Sequence, residues 1–237
     1  MGKYVLANWK MNKTATESVE FVKELLRNID KKDRFILFPS FVALSETSKA
    51  LNGSGAVGAQ NIYCEEQGAF TGEISPKMIL ETGAKYVLVG HSERRHIFGE
   101  TDEMICKKVA IALKHNLNVV LCVGETKEEH NVIKQILTQQ LKGLNGLDIS
   151  KVIVAYEPVW AIGTGIVPSV KDIETAHMFI KTYMLKHYDI NVQVLYGGSV
   201  SPSNAKEIFA SELVDGVLVG GASNDVAKFA DLIKMAR

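Results

Sequence analysis

Short apolar runs recur along the chain, and each leads into a polar or glycine-rich stretch and then an amphipathic segment. The runs are rich in Val, Ile and Leu and mostly do not alternate with polar residues. That pattern is typical of strands buried on both faces of a parallel sheet. The predicted strands are Tyr4–Ala7, Phe35–Phe38, Ala56–Ala59, Tyr86–Val89, Val119–Val123, Val152–Tyr156, Val192–Tyr196 and Gly216–Val219.

The segments between these runs carry apolar residues three and four positions apart, which predicts amphipathic helices. Such segments include Thr16–Ile29, Thr101–His115, Ser169–His187 and Asp225–Met235. Eight strand–helix units in 237 residues give about 30 residues per unit, the usual size of a βα unit. We therefore predict an α/β fold, a single (β/α)8 barrel domain over residues 1–237. A doubly wound open sheet is the alternative.

Charge and cysteine content narrow the possible partners and the compartment. The chain has 27 basic and 27 acidic residues, so its formal net charge is zero. It therefore has no overall positive charge to attract nucleic acid or an acidic membrane. Its three cysteines form no C-x-x-C pair, which favours free thiols in a reducing compartment. The N-terminus lacks the apolar core of a signal peptide, and no run is long enough to span a membrane. We predict a cytoplasmic protein.

One stretch, Ala155–Gly165, combines a carboxylate with a glycine-tipped apolar loop. Glu157 directly follows the sixth predicted strand, and Pro158 must end that strand because proline has no N–H to donate. A carboxylate beneath an apolar loop suits a general base under a lid. The alternative is a solvated glutamate beside an ordinary loop.

Other chemically competent residues also follow predicted strands, where the active site of a barrel is expected. His91 precedes a short helix, which predicts a neutral hydrogen-bond donor. Alternation directs Asn8 and Lys10 together into the barrel mouth. Gly197-Gly198-Ser199 and Gly220-Gly221 end the last two runs, where glycines and helix starts can bind a phosphate. A structural histidine and a surface lysine are the plainer alternatives.

Two motifs were tested for cofactor or metal binding. Gly53-Ser-Gly-Ala-Val-Gly58 matches the dinucleotide pattern but precedes a strand instead of following one, so we interpret it as a helix stop and turn. His91 and His96 are five residues apart without an accompanying acidic cluster, so no metal site is predicted. No cofactor is predicted either.

The predicted carboxylate, histidine, lysine and phosphate-binding glycines are together suited to one kind of reaction. In it, a proton is taken from a carbon next to a carbonyl of a small phosphorylated substrate and returned to the neighbouring carbon. That reaction is an aldose–ketose isomerisation. Two alternatives remain open. The chain could be an aldolase that uses Lys10 as a Schiff base. It could also be a barrel without catalytic activity that acts as a binding protein or scaffold.

Motifs from end to end resemble the triosephosphate isomerase family. The resemblance implies a homodimeric enzyme of glycolysis and gluconeogenesis that interconverts dihydroxyacetone phosphate and D-glyceraldehyde 3-phosphate. The motifs that carry it are Asn8-Trp-Lys-Met-Asn12, Gly68-Ala-Phe-Thr-Gly-Glu-Ile74, Gly90-His-Ser-Glu-Arg-Arg95, Cys122-Val-Gly-Glu125, Ala155–Gly165, Tyr196-Gly-Gly-Ser-Val200 and Leu218-Val-Gly-Gly-Ala222.

The resemblance also implies roles for individual residues. Glu157 would be the base, His91 would polarise the carbonyl, and Lys10 would balance the phosphate and enediolate charge. Asn8 would also contact the substrate. The phosphate of the substrate would bind the backbone N–H groups of Gly163, Ser199, Gly220 and Gly221. Supporting and lid residues in and around loop 158–168 would be Ser92, Glu93, Trp160, Ile162, Tyr196 and Leu218. Dimer contacts on loop 63–73 would be Phe70 and Thr71.

Two segments depart from the family pattern. Ile166-Val167-Pro168 replaces a small polar hinge, and Pro168 falls where a backbone N–H would bond the Tyr196 hydroxyl. We therefore expect the closed lid to depend more on Gly165 N–H bonding Ser199 and on Trp160 packing. The segment Thr126–Asn131 is shorter than usual, and we expect this to affect stability or assembly rather than chemistry.

Overall fold

A closed barrel of parallel strands organises the computed structural model, which describes residues 2–163, 166 and 168–237. Within these residues, eight strands pair in sequence order and β8 pairs with β1. The strands are β1 Tyr4–Asn8, β2 Phe35–Phe38, β3 Ala56–Ala59, β4 Tyr86–Val89, β5 Asn118–Val123, β6 Val152–Tyr156, β7 Gln193–Tyr196 and β8 Gly216–Val219. The predicted barrel is confirmed, and the open sheet is wrong because the first and last strands are hydrogen-bonded neighbours.

Helices follow the strands and cover the outside of the barrel. They are α1 Ala15–Asn28, α2 Phe41–Leu51, α3 Pro76–Glu81, α4 Ser92–His96, α5 Asp102–Lys114, α6 Ile133–Lys142, α7 Val170–Tyr188, α8 Ala205–Ala210 and α9 Val226–Met235. Local sequence sets several helix starts: Thr14 and Glu17 form a capping box at α1, and Ser169 caps α7 through the N–H of Asp172. The predicted helices agree with these bounds within about two residues, the usual uncertainty of helix ends.

Strand side chains divide between two hydrophobic cores. One set points outward and packs against the helices, as Trp9 does against Phe21 of α1, with ring centroids 4.9 Å apart. The other set fills the barrel interior and includes Phe38, Leu218 and Cys122. Burial raises the pKa of the Cys122 thiol well above its usual value, so this cysteine is a core residue.

The glycine motif that resembles a dinucleotide site is a turn, as predicted. Helix α2 ends at Leu51, and Asn52 and Gly53 follow with φ values of 43° and 80°. Gly58 lies inside β3, where a side chain would collide with the ring of Phe38. These residues therefore reverse the chain and enter a strand, whereas a dinucleotide loop leaves one.

The described residues contain neither a membrane-spanning helix nor a cluster of metal ligands. Over the ranges given above, no helix is both long enough and apolar enough to cross a membrane. In the same part of the chain, no three His, Cys, Asp or Glu side chains gather closely enough to hold a metal ion.

His177 on α7 makes stability depend on pH. Its ring is fully buried, Nδ1 lies 3.1 Å from the carbonyl oxygen of Leu213, and desolvation lowers its pKa to about 4. Between pH 6.5 and 4 the His177 imidazole is protonated in the unfolded state and neutral in the folded state. The free energy of unfolding should therefore fall by about 2 kcal/mol between pH 7 and pH 5.

Urea unfolding at the two pH values measures this effect, with His177→Asn as the matched control. Asparagine keeps an N–H near the Leu213 carbonyl but does not titrate. On acidification, the free energy of unfolding of the variant should therefore fall by about 2 kcal/mol less than that of the wild type. Equal losses in the two proteins would show that another group causes the acid sensitivity.

Candidate active site

The carboxyl ends of the strands surround a cavity of about 430 Å³. Its lining comes from the loops after β1, β4, β6, β7 and β8, which are distant in sequence and meet only because the barrel closes. Most of the predicted substrate and catalytic residues line it: Asn8, Lys10, His91, Glu157, Ile162, Gly163, Ser199, Leu218, Gly220 and Gly221.

Glu157 is the buried carboxylate of this cavity. It directly follows β6, and its N–H donates to the Val123 carbonyl oxygen at 2.7 Å, so the β5–β6 pairing places it. Only 2% of the residue is exposed. Oε2 accepts a hydrogen bond from the Ser92 N–H at 2.9 Å, and Oε1 lies 3.3 Å from Nε2 of His91. In this resting conformation both carboxylate oxygens are held by donors at the end of β4.

His91 is oriented by the helix that it caps. Its Nδ1 accepts a hydrogen bond from the N–H of Glu93 at 3.2 Å, in the first turn of α4. Because Nδ1 accepts, the ring proton is on Nε2, which faces Glu157. His91 is therefore a neutral donor directed into the cavity.

Lys10 supplies the positive charge beside these groups. It has a left-handed backbone with φ 53°, and its N–H donates to Oδ1 of Asn8 at 3.0 Å. Its Nζ donates to Oε1 of Glu93 at 2.6 Å, and Glu93 Oε2 lies 3.7 Å from Nδ1 of His91. Glu93 thus contacts both Lys10 and His91. An ammonium that donates to a carboxylate acts as a cation, whereas a Schiff base needs a free amine.

The loops after β7 and β8 form a glycine-rich cradle. Gly220 directly follows β8, and a 3-10 turn, Gly221–Asn224, comes next. A side chain at Gly220 would begin 3.3 Å from Cε of Lys10, so the cradle lies against the lysine. Backbone N–H groups next to an ammonium form a site for a phosphate.

The loop after Glu157 starts as a 3-10 turn, Val159–Ala161, and its next residues, Ile162 and Gly163, line the cavity. Ser199 donates from Oγ to the Ala161 carbonyl oxygen at 2.6 Å and so ties this loop to the β7 loop. Thr164, Gly165 and Val167 lie outside the described residues. The expected bond between Gly165 and Ser199 therefore stays a prediction.

Tyr196 and Trp160 lie behind the cavity and do not line it. The Tyr196 hydroxyl is buried without a hydrogen-bond partner among the described residues, and burial raises its pKa. Pro168 is also buried and cannot donate to it. The indole Nε1 of Trp160 donates to Oε1 of Glu125 at 3.0 Å, which holds the lid turn against the end of β5.

Gly124 and Gln140 support the site, and neither was assigned a role from the sequence, although Gly124 lies in the motif Cys122-Val-Gly-Glu125. A Cβ at Gly124 would lie 1.8 Å from the carbonyl oxygen of Glu157, so only glycine permits this approach of β5 and β6. Gln140 on α6 fixes that glycine: its Oε1 accepts from the Gly124 N–H at 2.8 Å, and its Nε2 donates to the Gly124 carbonyl oxygen at 2.9 Å.

A buried ionic network braces the end of β3 against α4 and α5. Lys108 is 3% exposed and donates to Oδ1 of Asn61 at 2.8 Å. It also pairs with Glu100, which accepts from Arg94 of α4 as well. Removing one partner of such a network leaves a buried charge uncompensated. This network was not predicted, because its members are ordinary surface residue types.

Phe70 and Thr71 lie apart from the cavity on the exposed loop 63–73. Tyr63 N–H donates to the Ile74 carbonyl oxygen at 3.0 Å and closes the loop, and the Phe70 ring packs 4.7 Å from that of Tyr63. Phe70 remains 40% exposed. Their role in a dimer contact stays a prediction.

Comparison with known proteins finds relatives that match nearly the whole chain and a solved structure with the same fold. A family model described as triosephosphate isomerase matches residues 3–236. The triosephosphate isomerase of Thermoanaerobacter sp. (strain X514) is 44% identical over 97% of both chains, and that of Aquifex aeolicus (strain VF5) is 44% identical over 98% of this chain and 99% of its own. The crystal structure of triosephosphate isomerase from Bartonella henselae superposes with a TM-score of 0.90 at 34% identity, covering 99% of each chain.

Proposed function

The chain belongs to the triosephosphate isomerase family, and we propose that Glu157, His91 and Lys10 carry out its reaction. The enzyme interconverts dihydroxyacetone phosphate and D-glyceraldehyde 3-phosphate by proton transfer through an enediolate. The observation that carries the proposed roles is the juxtaposition of a buried carboxylate with a neutral imidazole, with Oε1 of Glu157 3.3 Å from Nε2 of His91.

Glu157 moves the carbon-bound proton. From dihydroxyacetone phosphate it takes a proton from C1, the C–H electron pair forms the C1–C2 double bond, and negative charge collects on the C2 oxygen. The protonated carboxyl then returns the proton to C2. To reach either carbon, the carboxylate must first leave the Ser92 N–H and the His91 Nε2–H that hold it in the resting conformation.

His91 and Lys10 stabilise the charge on oxygen. The Nε2–H of His91 donates to the carbonyl oxygen as its charge develops, and the ring carries the hydroxyl proton from the C1 oxygen to the C2 oxygen. The Lys10 ammonium offsets the negative charge of both enediolate and phosphate. Glu93 keeps both groups in place by accepting from Lys10 and by donating its N–H to Nδ1 of His91.

The phosphate binds the cradle, and the lid covers the intermediate. The backbone N–H groups of Gly163, Ser199, Gly220 and Gly221 would hold the phosphate; all four residues line the cavity, and Gly220 lies next to Lys10. Ile162 and Leu218 line the same cavity as Glu157 and give it apolar surface, and a closed lid would keep water from the enediolate.

The direct test is turnover of glyceraldehyde 3-phosphate by the purified wild-type protein, with borohydride added to a parallel sample. We expect dihydroxyacetone phosphate as product and no covalent adduct. A trapped adduct on Lys10 would instead favour the aldolase alternative. A folded protein with neither turnover nor adduct would favour the non-catalytic barrel.

We further propose a cytoplasmic homodimer in which loop 63–73 contacts the partner near its active site. Exposed Phe70 and Thr71 at the tip of a closed, ordered loop support this assignment, because an apolar tip held away from its own barrel is suited to a partner surface. Residues 1–237 would form one catalytic domain. The zero net charge and the substrate-sized cavity support a small-molecule partner rather than nucleic acid or membrane.

Tyr196→Phe tests how the lid closes. Since Pro168 has no N–H to offer the Tyr196 hydroxyl, removing that hydroxyl should change kcat by less than about twofold, because an unpaired hydroxyl contributes little. Steady-state kinetics of the variant beside the wild type measures this. A tenfold or larger loss would mean that another lid N–H bonds Tyr196 when substrate is bound.

A further inference from the structure

A buried carboxylate lies under the first turn of the lid. Glu125 follows Gly124 at the end of β5, and its side chain is fully buried. Its Oε1 accepts hydrogen bonds from the Tyr156 hydroxyl at 3.1 Å and from the Trp160 Nε1–H at 3.0 Å. Its carbonyl oxygen accepts the Val159 N–H at 3.0 Å. Glu125 therefore ties the lid turn to the ends of two strands.

His130 meets the same oxygen atom from the outside. Its Nδ1 lies 3.1 Å from Oε1 of Glu125, and its ring packs edge-on against the Trp160 indole at 5.4 Å with an angle of 78° between the planes. Oε1 already accepts hydrogen bonds from Tyr156 and Trp160, so it carries no proton itself and Nδ1 of His130 is the donor. The histidine side chain is 49% exposed, unlike the fully buried carboxylate it contacts.

We propose that His130 is a positioning residue for the lid. Its Nδ1–H holds the Glu125 carboxylate where it accepts the Trp160 indole, and this stabilises the resting conformation of the turn Val159–Ala161. The proposal rests on the isomerase function and adds to it a residue that lies outside the cavity. The segment Thr126–Asn131, expected to affect stability or assembly, thereby also contacts the lid.

The chain connects this contact to the catalytic base. Glu157 lies three residues before Trp160, and in the resting conformation its two oxygens are bound at the end of β4. Lid closure over the cavity moves the turn that follows Glu157, and the bond between Trp160 and Glu125 is then strained or lost. His130 therefore opposes lid closure by stabilising the starting state. A lid biased toward closure binds substrate more tightly and releases product more slowly.

Two substitutions separate the hydrogen bond from the ring contact. His130→Phe keeps an aromatic ring against Trp160 but removes the donor, whereas His130→Asn keeps an N–H near the position of Nδ1 but removes the ring. We expect His130→Phe to lower KM and kcat together by about two- to fivefold, the effect of one net hydrogen bond. His130→Asn should remain close to the wild type in both constants.

The other kinetic outcomes contradict the proposal. If neither variant differs from the wild type, His130 does not act on the lid. If both lose activity equally, or if only His130→Asn does, the ring and not the donor is what matters. A rise in KM for His130→Phe would mean that the bond favours the closed lid instead. Thermal unfolding of both variants shows whether a loss of stability accounts for any change.

Fluorine NMR of protein labelled with 5-fluorotryptophan gives a second readout that does not depend on turnover. The chain has two tryptophans, and Trp9 is fully buried with its indole bonded to the Ser223 carbonyl oxygen at 3.1 Å. His130→Phe should shift the Trp160 resonance and leave that of Trp9 in place. An unmoved Trp160 resonance would overturn the proposal even in an active enzyme, while an inactive wild type would instead overturn the proposed function.

Discussion

Glu157→Gln should lower kcat by about 10²–10⁴-fold, the contribution of a positioned general base. Glutamine has nearly the same shape as glutamate, and its amide oxygen can keep one of the two hydrogen bonds that Ser92 and His91 give the carboxylate. It cannot take up the carbon-bound proton. The folded structure should therefore survive while the chemical step is lost.

Turnover of glyceraldehyde 3-phosphate by this variant, measured beside Glu207→Gln, makes the test specific. Glu207 is an exposed glutamate on α8 outside the cavity, so its substitution controls for the loss of one carboxylate. We expect the control to retain wild-type kcat. If Glu157→Gln kept more than about a tenth of the wild-type rate, the assignment of Glu157 as the base would be wrong.

Gly124→Ala should reduce kcat by about 100-fold, although Gly124 contributes no side chain to the cavity. The added Cβ would lie 1.8 Å from the Glu157 carbonyl oxygen and 3.2 Å from its Cα. Both are main-chain atoms that cannot rotate away, so the backbone carrying the base must shift by more than 1 Å. A shift of that size takes the carboxylate out of reach of the substrate carbon.

Gly143→Ala is the matched control for this prediction. Gly143 has ordinary right-handed backbone, and a methyl group there would come no closer than 3.3 Å, to Cβ of Cys106. It should leave kcat unchanged. Kinetics and thermal unfolding of both variants check the prediction. If Gly124→Ala turned over substrate at the wild-type rate, the prediction would be wrong, because catalysis would then tolerate a displaced Glu157 backbone.

The local sequence was sufficient to predict the strands and helices, because each unit carries its own signal. Apolar runs such as Val152–Tyr156 are confirmed as strands, and capping residues such as Thr14 and Ser169 mark helix starts. Eight such units in a row left few arrangements that bury every strand on both faces. Closure itself needed the structure, since only the pairing of β1 with β8 distinguishes the barrel from an open sheet.

The residues that we propose as catalytic were also readable from the sequence. Glu157, His91 and Lys10 each follow a predicted strand, and parallel strands must bring their carboxyl ends to one face. The resemblance to a family then assigned each residue a role. The sequence could not show that Nδ1 of His91 accepts the Glu93 N–H, which is what leaves the proton on Nε2.

Only the tertiary structure showed how several residues hold this site in place. Gly124 and Glu125 belong to a family motif, and Gln140 and His130 have no local signal, but all four act by contacts that the sequence does not show. A periodic pattern records which face of an element is buried, because burial depends on hydrophobicity along that element. Which atom approaches a carbonyl oxygen, or which side chains share one carboxylate, depends on how separate elements pack, and that is decided only when the barrel closes.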